Sequence, residues 1–427
     1  MEENLKRVLK TPEVLFIGIN GVVGGGIFLL PGQIAKLAGP NALWAYLVAG
    51  IIAILIGLAF AEASSMFSQT GGAYVYAEAA MGRTVAFTVG WMGWLTYVAG
   101  WGALSNGLVS YLSSLFPAVA AYRNLVIIVV IALLCLLNTY GVRKGSGTVL
   151  FFSVVKLIPL FLLIIVGLIH SGGTHSLGFA GGSSNFGQAV LVLIFAYGGF
   201  EMATIPAGEM VNPRKTISTA VIGTLIGVTL FYMLIQLAAT RLDPGIATAK
   251  APLAAAGSFM FAGGLTVMTV GAVLSIIGTQ SGVALSSPRQ LYALSRDRLL
   301  PGVLGKVYDK YQTPVVAIWT TGILVMIFAT TGTFTTLILL NVAARLYEYL
   351  AVCVSVVILR YKSKGAERPF KLPFGIAIPA VAAILCIWLL AQETPQQLLA
   401  ALVALVIGLI LYTITARTSN RGRRTSG

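Results

Sequence analysis

Charged residues are scarce in this chain of 427 residues: only 10% are Asp, Glu, Lys or Arg, whereas 57% are hydrophobic. A soluble domain carries about 25% charged residues, and a soluble fold of this length could not cover so much apolar surface. Soluble enzymes, secreted disulfide domains and disordered proteins are therefore excluded. The composition indicates an integral membrane protein, without the polar alternation of an outer-membrane barrel.

Cysteine and histidine are also rare. Cys135, Cys353 and Cys386 each lie inside an apolar run, where a small buried side chain is the expected role. His170 and His175 lie in a Gly/Ser-rich loop and are too few to form a metal site. Because no catalytic motif accompanies them, we expect no metal, no cofactor and no enzymatic activity.

Hydrophobic runs long enough to cross a membrane occur twelve times, since a spanning helix needs about 20 apolar residues. The predicted spans are 13–37, 41–66, 86–116, 122–140, 147–169, 187–209, 217–239, 260–290, 315–331, 335–359, 374–391 and 396–416. They are numbered 1 to 12 below. No soluble domain interrupts them, so we expect one all-α polytopic membrane domain over residues 1–427.

The basic residues are divided unequally between the two sides of these spans. One side carries 22 of the 28 Lys and Arg residues. The other side carries only Lys36, Arg123, Arg241 and Lys250. Basic residues collect on the cytoplasmic side of membrane proteins. We therefore expect a multi-pass protein of the inner (cytoplasmic) membrane with both termini in the cytoplasm, in contact with lipid and not with nucleic acid.

Two spans are interrupted by glycines. Span 1 contains LFIGINGVVGGGIFLLPG, with five glycines from Gly18 to Gly26, and span 6 contains VLIFAYGGFEMATIPAGEM, with Gly198 and Gly199. Each glycine costs a helix about 1 kcal/mol relative to alanine, and unwound backbone inside a membrane is tolerated where it lines a cavity. Close helix packing through small residues is the alternative explanation for span 1.

The two broken spans are five apart, which points to a secondary transporter built from inverted repeats. Repeat one would cover about 13–169 and repeat two about 187–359, with additional helices at about 374–416. The half-helix that begins near Gly26 would direct N–H groups and a positive dipole end to the break. The half-helix that ends near Gly198 would direct carbonyl groups there. One pole suits a carboxylate and the other an ammonium, as in an α-amino acid.

Five motifs in order along the chain resemble the amino acid/polyamine/organocation (APC) superfamily of permeases. They are GGGIFLLPG (24–32), AEASSMFSQTGGAYVYAEAAMG (61–82), FAYGGFE with GEMVNPRKTI (195–201 and 208–217), ALSSPRQLYALSRDRLLP (284–301) and ERPFKLP (367–373). The resemblance implies a LeuT-like fold of twelve helices with a 5+5 inverted repeat and broken helices 1 and 6.

The resemblance also implies a substrate site on the two broken spans. In the family, first-helix glycine N–H groups bind the substrate carboxylate, and carbonyl groups at positions matching Val22, Phe195 and Gly198 bind its ammonium. The predicted substrate-binding residues are Val22, Val23, Gly24, Gly25, Gly26, Phe195, Ala196, Tyr197 and Gly198. Phe195 matches an aromatic gate over the substrate, with ordinary packing as the alternative.

Two charged residues match positions that the family uses for coupling. Lys156 matches a fifth-helix lysine that lies against the first helix, where sodium-coupled relatives of the fold bind an ion, and its ammonium would disfavour Na⁺. Glu201 matches a carboxylate linked to proton sensing in some antiporters. The alternatives are a static strut for Lys156 and a helix-stabilising contact for Glu201. Arg345 and Glu348 lie one turn apart in span 10, and we favour an internal ion pair over a substrate contact.

The middles of spans 3 and 8 contain no acidic residue, which disfavours a cationic substrate. The loop LFPAVAAYRN between spans 3 and 4 has no cysteine, so we expect no disulfide-linked partner chain. The sequence thus predicts an amino acid permease for neutral substrates that works by alternating access, with proton coupling. A sodium-independent exchanger and a cationic amino acid or polyamine transporter are the alternatives within transport. A membrane sensor or enzyme would be a different class of protein.

Overall fold

The structure is a computed structural model of the chain. It describes residues 11–67, 72–140, 156–170, 185–203, 213–363, 365 and 367–424. Outside these ranges lie the predicted positions 147–155 of span 5 and 204–209 of span 6, residues 208–212 of the loop motif, and His175. Within the described ranges the chain is helical, and β pairing is limited to one bridge between Tyr308 and Thr313.

The described α-helices are numbered in chain order. They are α1 (Thr11–Val22), α2 (Gly26–Ala38), α3 (Ala42–Ser65), α4 (Ala73–Met81), α5 (Arg83–Leu115), α6 (Arg123–Tyr140), α7 (Leu157–Ile169), α8 (Phe186–Tyr197), α9 (Pro213–Leu242), α10 (Pro252–Ser258), α11 (Gly264–Arg296), α12 (Val315–Thr331), α13 (Phe334–Lys362), α14 (Ala377–Leu390) and α15 (Pro395–Arg424).

The helices follow the predicted spans closely. Each predicted span falls on a helix in its described part, and span 1 is divided into α1 and α2. Among the described residues, six helical segments are long and apolar enough to cross a membrane, and four further apolar helices are shorter. The two helices α4 and α10 lie outside the predicted spans. The all-helical membrane class is therefore supported, whereas the twelve crossings and the LeuT-like fold stay predictions.

The chain divides into two compact units. Unit 1 comprises Met1–Val89, Leu163–Pro252 and Leu346–Glu393, and unit 2 comprises Gly90–Leu162, Leu253–Arg345 and Thr394–Gly427. Unit 1 thus holds spans 1, 2, 6, 7 and 11, and unit 2 holds spans 3, 4, 8, 9 and 12. Spans 5 and 10 are each divided between the two units, at Leu162/Leu163 and at Arg345/Leu346. The repeat boundaries themselves stay a prediction.

In unit 1, α3 and α9 pack closely because glycines face larger side chains. A Cβ atom at Gly50 would lie 2.8 Å from Cγ2 of Thr229, and one at Gly57 would lie 2.8 Å from Cγ1 of Val221. Small residues let helices approach in a membrane, where hydrophobicity does not distinguish a neighbouring helix from lipid. The same helix α9 also carries Tyr232, whose hydroxyl contacts Val22 at the end of α1.

At one end of unit 1, Glu62 of α3 is fully buried and paired. Arg360 donates to both its carboxylate oxygens, at 2.8 Å and 2.5 Å, and the backbone N–H of Leu372 donates at 2.9 Å. The Arg368 guanidinium lies 3.7 Å from the same carboxylate. Because a buried charge must be compensated, this cluster fixes the segment before α14 against α3 and α13.

In unit 2, Arg123 joins three helices. Its guanidinium donates to Oδ1 of Asn106 on α5 and to the carbonyl oxygens of Ala329, Thr330 and Gly332 at the end of α12. These are carbonyls that a helix terminus leaves without an intrahelical donor, at the negative end of its dipole. A single side chain at the start of α6 therefore caps α12 and holds it beside α5.

Candidate substrate site

The first break separates α1 from α2. Helix α1 ends at Val22, the non-helical residues Val23, Gly24 and Gly25 follow, and α2 begins at Gly26. All of these residues are buried, with Val22 only 3% exposed. The N–H of Val23 still donates to the carbonyl oxygen of Ile19 at 2.8 Å and closes the last turn of α1. The break therefore directs the carbonyl end of α1 and the N–H end of α2 to the same place.

The second break follows α8. The helix ends at Tyr197, Gly198 is extended (φ −63°, ψ 147°) and Gly199 has φ +108°, after which Phe200–Ala203 form a 3₁₀ turn. A φ of this sign is common only for glycine. Gly199 therefore follows the end of α8 in a conformation that other residues would resist.

The two breaks lie against each other within unit 1. A Cβ atom at Gly26 would lie 3.2 Å from ring atoms of Phe195 and 3.5 Å from Cα of Ala196. A Cβ atom at Gly199 would lie 2.7 Å from the carbonyl carbon of Gly21, and nearer still to its oxygen. A side chain at Gly199 would overlap main chain, whereas one at Gly26 would require the Phe195 ring to shift. Of the predicted substrate-binding residues, Gly26 is thus brought against Phe195 and Ala196.

Tyr232 of α9 connects the two breaks by hydrogen bonds. Its hydroxyl lies 3.0 Å from the carbonyl oxygen of Val22 and 3.2 Å from that of Ala196, and it can donate to either. Nearby, the Tyr197 hydroxyl donates to the carbonyl oxygen of Tyr46 at 2.9 Å. Since a carbonyl oxygen has two lone pairs, Val22 can accept from Tyr232 and still bind an ammonium.

Glu201 lies at the second break and holds its backbone. Its Oε2 accepts from the N–H of Gly199 at 3.0 Å and from the Tyr349 hydroxyl of α13 at 3.3 Å. The Tyr349 ring packs against Phe60 and Phe200, with centroids 5.4 Å away in both cases. The Glu201 carboxylate therefore makes a stabilising backbone contact, which was the alternative to a role in coupling. A role of Glu201 in coupling stays a prediction.

Tyr232 and Tyr349 are not among the site residues that the sequence predicts. Their signal is a tyrosine inside an apolar span, since a buried phenol hydroxyl usually finds a hydrogen-bond partner. That signal shows that a partner exists but does not say which one. In the chain, Tyr232 is 210 residues from Val22 and 36 from Ala196, and Tyr349 is 148 residues from Glu201.

The other charged residues of interest are separated from these contacts in the chain. Lys156 is buried (7% exposed), directly precedes α7 and belongs to unit 2. Its contact with span 1 stays a prediction. Arg345 and Glu348 lie one turn apart on α13, both partly exposed, and their ion pair is likewise a prediction.

The two breaks offer backbone polar groups of both signs for recognition. No group of three or more His, Cys, Asp or Glu side chains able to hold a metal ion occurs among the described residues. The ends of α1 and α8 supply carbonyl oxygens, and the start of α2 supplies N–H groups. Phe195 is half-buried beside them. This arrangement offers one negative and one positive pole at the break between α1 and α2.

Comparison with known proteins gives matches over almost the whole chain. Residues 9–415 match the amino acid permease family. The methylthioribose transporter of Bacillus subtilis (strain 168) is 26% identical over 97% of this chain and 94% of its own length. The branched-chain amino acid permease BcaP of the same organism is 27% identical (98% and 95%), and its serine/threonine exchanger SteT is 28% identical (96% and 96%). Cationic amino acid transporters of mouse and human are also related.

These matches confirm the resemblance that the five motifs indicated. The relatives are membrane transporters, which confirms that the family is not one of enzymes. Their names cover several chemical classes of substrate, so the substrate is not transferred from any of them. The matched region runs from the first predicted span to the last, and the chain belongs to the amino acid permease family.

Proposed function

We propose that this permease moves neutral amino acids across the cytoplasmic membrane by alternating access, driven by protons. The observation that carries the proposal is the contact of the two breaks, in which Gly26 lies beside Phe195 and Ala196. A free α-amino acid presents a carboxylate and an ammonium on one carbon. The N–H end of α2 and the carbonyl ends of α1 and α8 match these two charges.

Support for a neutral substrate comes from two helices that lack carboxylates. The described helices α5 and α11, which contain spans 3 and 8, include no Asp or Glu at all. A long cationic side chain inside a membrane protein needs an acidic partner, because an unpaired charge there is costly. The related branched-chain permease agrees with a neutral substrate, whereas the cationic relatives define the alternative.

The test is uptake by purified protein in liposomes with a panel of labelled amino acids and imposed pH or sodium gradients. We expect neutral amino acids to compete and arginine, lysine and polyamines to compete poorly. Gly26→Leu should abolish substrate binding, because even a Cβ atom there reaches the Phe195 ring. The matched control is Gly227→Leu on α9, where a Cβ atom meets nothing within 4 Å. Normal affinity in a folded Gly26→Leu protein, or efficient displacement by arginine, would overturn the site or its selectivity.

Proton coupling is proposed to involve Lys156. A lysine at the bilayer centre costs about 2.5–3.5 kcal/mol, and it can bias a transport cycle if its proton affinity differs between two conformations. We expect Lys156→Ala to retain weakened substrate binding and to lose accumulation driven by a pH gradient. A sodium-independent exchanger would instead show no such accumulation in the wild type and would require substrate inside the liposome. Unchanged accumulation by Lys156→Ala would exclude the coupling role.

A further inference from the structure

One end of unit 2 carries a fixed surface loop between α11 and α12. The Ser295 hydroxyl donates to the carbonyl oxygen of Pro301 at 2.8 Å, which turns the chain back at the end of α11. The N–H of Tyr308 donates to the carbonyl oxygen of Thr313 at 2.9 Å, and the Thr313 hydroxyl donates to the carbonyl oxygen of Thr139 at 2.8 Å. The loop is therefore anchored to the ends of α6 and α11.

Tyrosine rings form the outer part of this loop. The rings of Tyr308 and Tyr311 are stacked at 5.8 Å between centroids, and the Tyr140 ring meets Tyr311 edge-on at 5.0 Å. Tyr140 is 62% exposed and Tyr308 is 55% exposed. The Lys310 ammonium lies 5.2 Å from the centroid of the Tyr311 ring. The aromatic cluster thus combines exposed apolar surface with the positive charge of Lys310, which lies against the Tyr311 ring.

Exposed valines and basic residues lie in the same loop, close in the chain to these tyrosines. Val303 is 49% exposed and Val307 is 41% exposed, and Lys306 and Arg298 are also exposed. Between residues 289 and 312 the sequence contains five basic and two acidic residues. We call the surface formed by Val303, Lys306, Val307, Tyr308, Lys310 and Tyr311 the basic ledge. It lies outside the predicted spans, on the side that the distribution of Lys and Arg predicts to be cytoplasmic.

We propose that the basic ledge binds the headgroups of anionic phospholipids. Tyrosine rings favour the interface between headgroups and acyl chains, and a surface that combines apolar and basic side chains inserts at that depth. Lys and Arg near a cytoplasmic membrane surface are attracted to anionic lipids. Lys306 and Lys310 would meet the lipid phosphate, while Val307 and Tyr308 would pack against the start of the acyl chains.

The test measures lipid binding to the full-length purified protein by native mass spectrometry, with phosphatidylglycerol and phosphatidylcholine as probes. We expect phosphatidylglycerol to bind preferentially. Each basic side chain near an anionic surface contributes about a fivefold preference, so Lys306→Gln/Lys310→Gln should reduce the preference about 25-fold. The matched control Lys36→Gln/Lys250→Gln removes two exposed charges from unit 1 and should retain it.

A second variant separates a lipid from a soluble phosphate. Val307→Ser/Tyr308→Ser keeps every charge but removes apolar surface, so it should weaken phosphatidylglycerol binding, and inorganic phosphate should not compete in the wild type. Size-exclusion chromatography checks that each variant folds. If the double lysine variant does not fold, Lys306→Gln alone replaces it, with an expected fivefold loss of the preference for phosphatidylglycerol. The proposal is overturned if Lys306→Gln/Lys310→Gln binds phosphatidylglycerol like the wild type, if the control loses as much, or if phosphate competes.

Discussion

The contact between the two helix breaks makes Gly199 the most restrictive position of the candidate site. Its φ of +108° is one that side-chain-bearing residues rarely adopt, and a Cβ atom would lie 2.7 Å from the carbonyl carbon of Gly21 and 3.3 Å from the backbone nitrogen of Val22. Both neighbours are main chain, so no side-chain rotation can make room. We therefore expect Gly199→Ala to force the two breaks apart.

The size of the effect follows from the backbone strain. A non-glycine residue in such a conformation costs about 1–3 kcal/mol, and the overlap with Gly21 adds to it. If the arrangement that binds substrate becomes less favourable by about 2 kcal/mol, the apparent Kd rises about 30-fold. The same cost should lower the melting temperature of the substrate-free protein, since both breaks are formed without substrate.

Equilibrium binding of a labelled amino acid to detergent-purified protein measures this change directly. Two control variants also replace glycine by alanine, but at positions where the added Cβ atom causes no backbone strain. Gly198→Ala lies in the same turn at φ −63° and ψ 147°, which alanine adopts readily, and Gly227→Ala adds a Cβ atom to open space on α9. Both should bind within a few-fold of the wild type. Wild-type affinity and melting temperature in Gly199→Ala would refute the contact between the breaks as the basis of binding.

Three further changes test other contacts. Tyr232→Phe removes the hydroxyl shared by two carbonyl groups. A lost hydrogen bond costs about 1 kcal/mol, so substrate binding should weaken about fivefold while the melting temperature changes little. An unchanged affinity would contradict the role of this hydroxyl. Arg123→Lys replaces a five-donor fork by a point charge and should destabilise the protein by about 2 kcal/mol through lost charge-assisted hydrogen bonds; thermal unfolding measured against Arg241→Lys tests this, and equal melting temperatures of the two variants would contradict it. Burial raises the pKa of Glu393, in the loop before α15, from 4.5 to about 8; the folded state then holds a proton that the unfolded state has lost, so stability should fall between pH 4.5 and 8 by up to about 1.4 kcal/mol per pH unit. Glu393→Gln should flatten that dependence in melting curves from pH 5 to 9, and a flat wild-type curve would exclude it.

Most helix boundaries could be predicted from the sequence, because an apolar run of about 20 residues in a membrane protein has few stable conformations other than a spanning helix. Span 9 was predicted at 315–331 and α12 covers Val315–Thr331; span 4 was predicted at 122–140 and α6 covers Arg123–Tyr140. The breaks in spans 1 and 6 were also predictable, since clustered glycines weaken a helix wherever it packs. Helix α4 was missed because its nine residues are too short and too polar to register as a span.

The partners of buried side chains could not be predicted from the sequence. Hydropathy does not show which face of a membrane helix meets protein, because lipid tails are as apolar as leucine. Nothing in the sequence pairs Tyr232 with Val22, Tyr349 with Glu201, or Arg123 with the end of α12. These contacts join residues far apart in the chain and depend on the rotation of each helix about its own axis.

The sequence by itself therefore determined that this is a helical membrane protein, where its helices lie, which two of them are broken, and the family to which it belongs. Those properties depend on local composition and on short motifs. The tertiary structure alone decided which residues form the contact between the breaks, Gly26 with Phe195 and Gly199 with Gly21, and that tyrosines from α9 and α13 hold them. The physical reason is that a membrane span specifies its length through the hydrophobic effect, whereas its neighbours are selected by close packing and by hydrogen bonds that buried polar groups must satisfy.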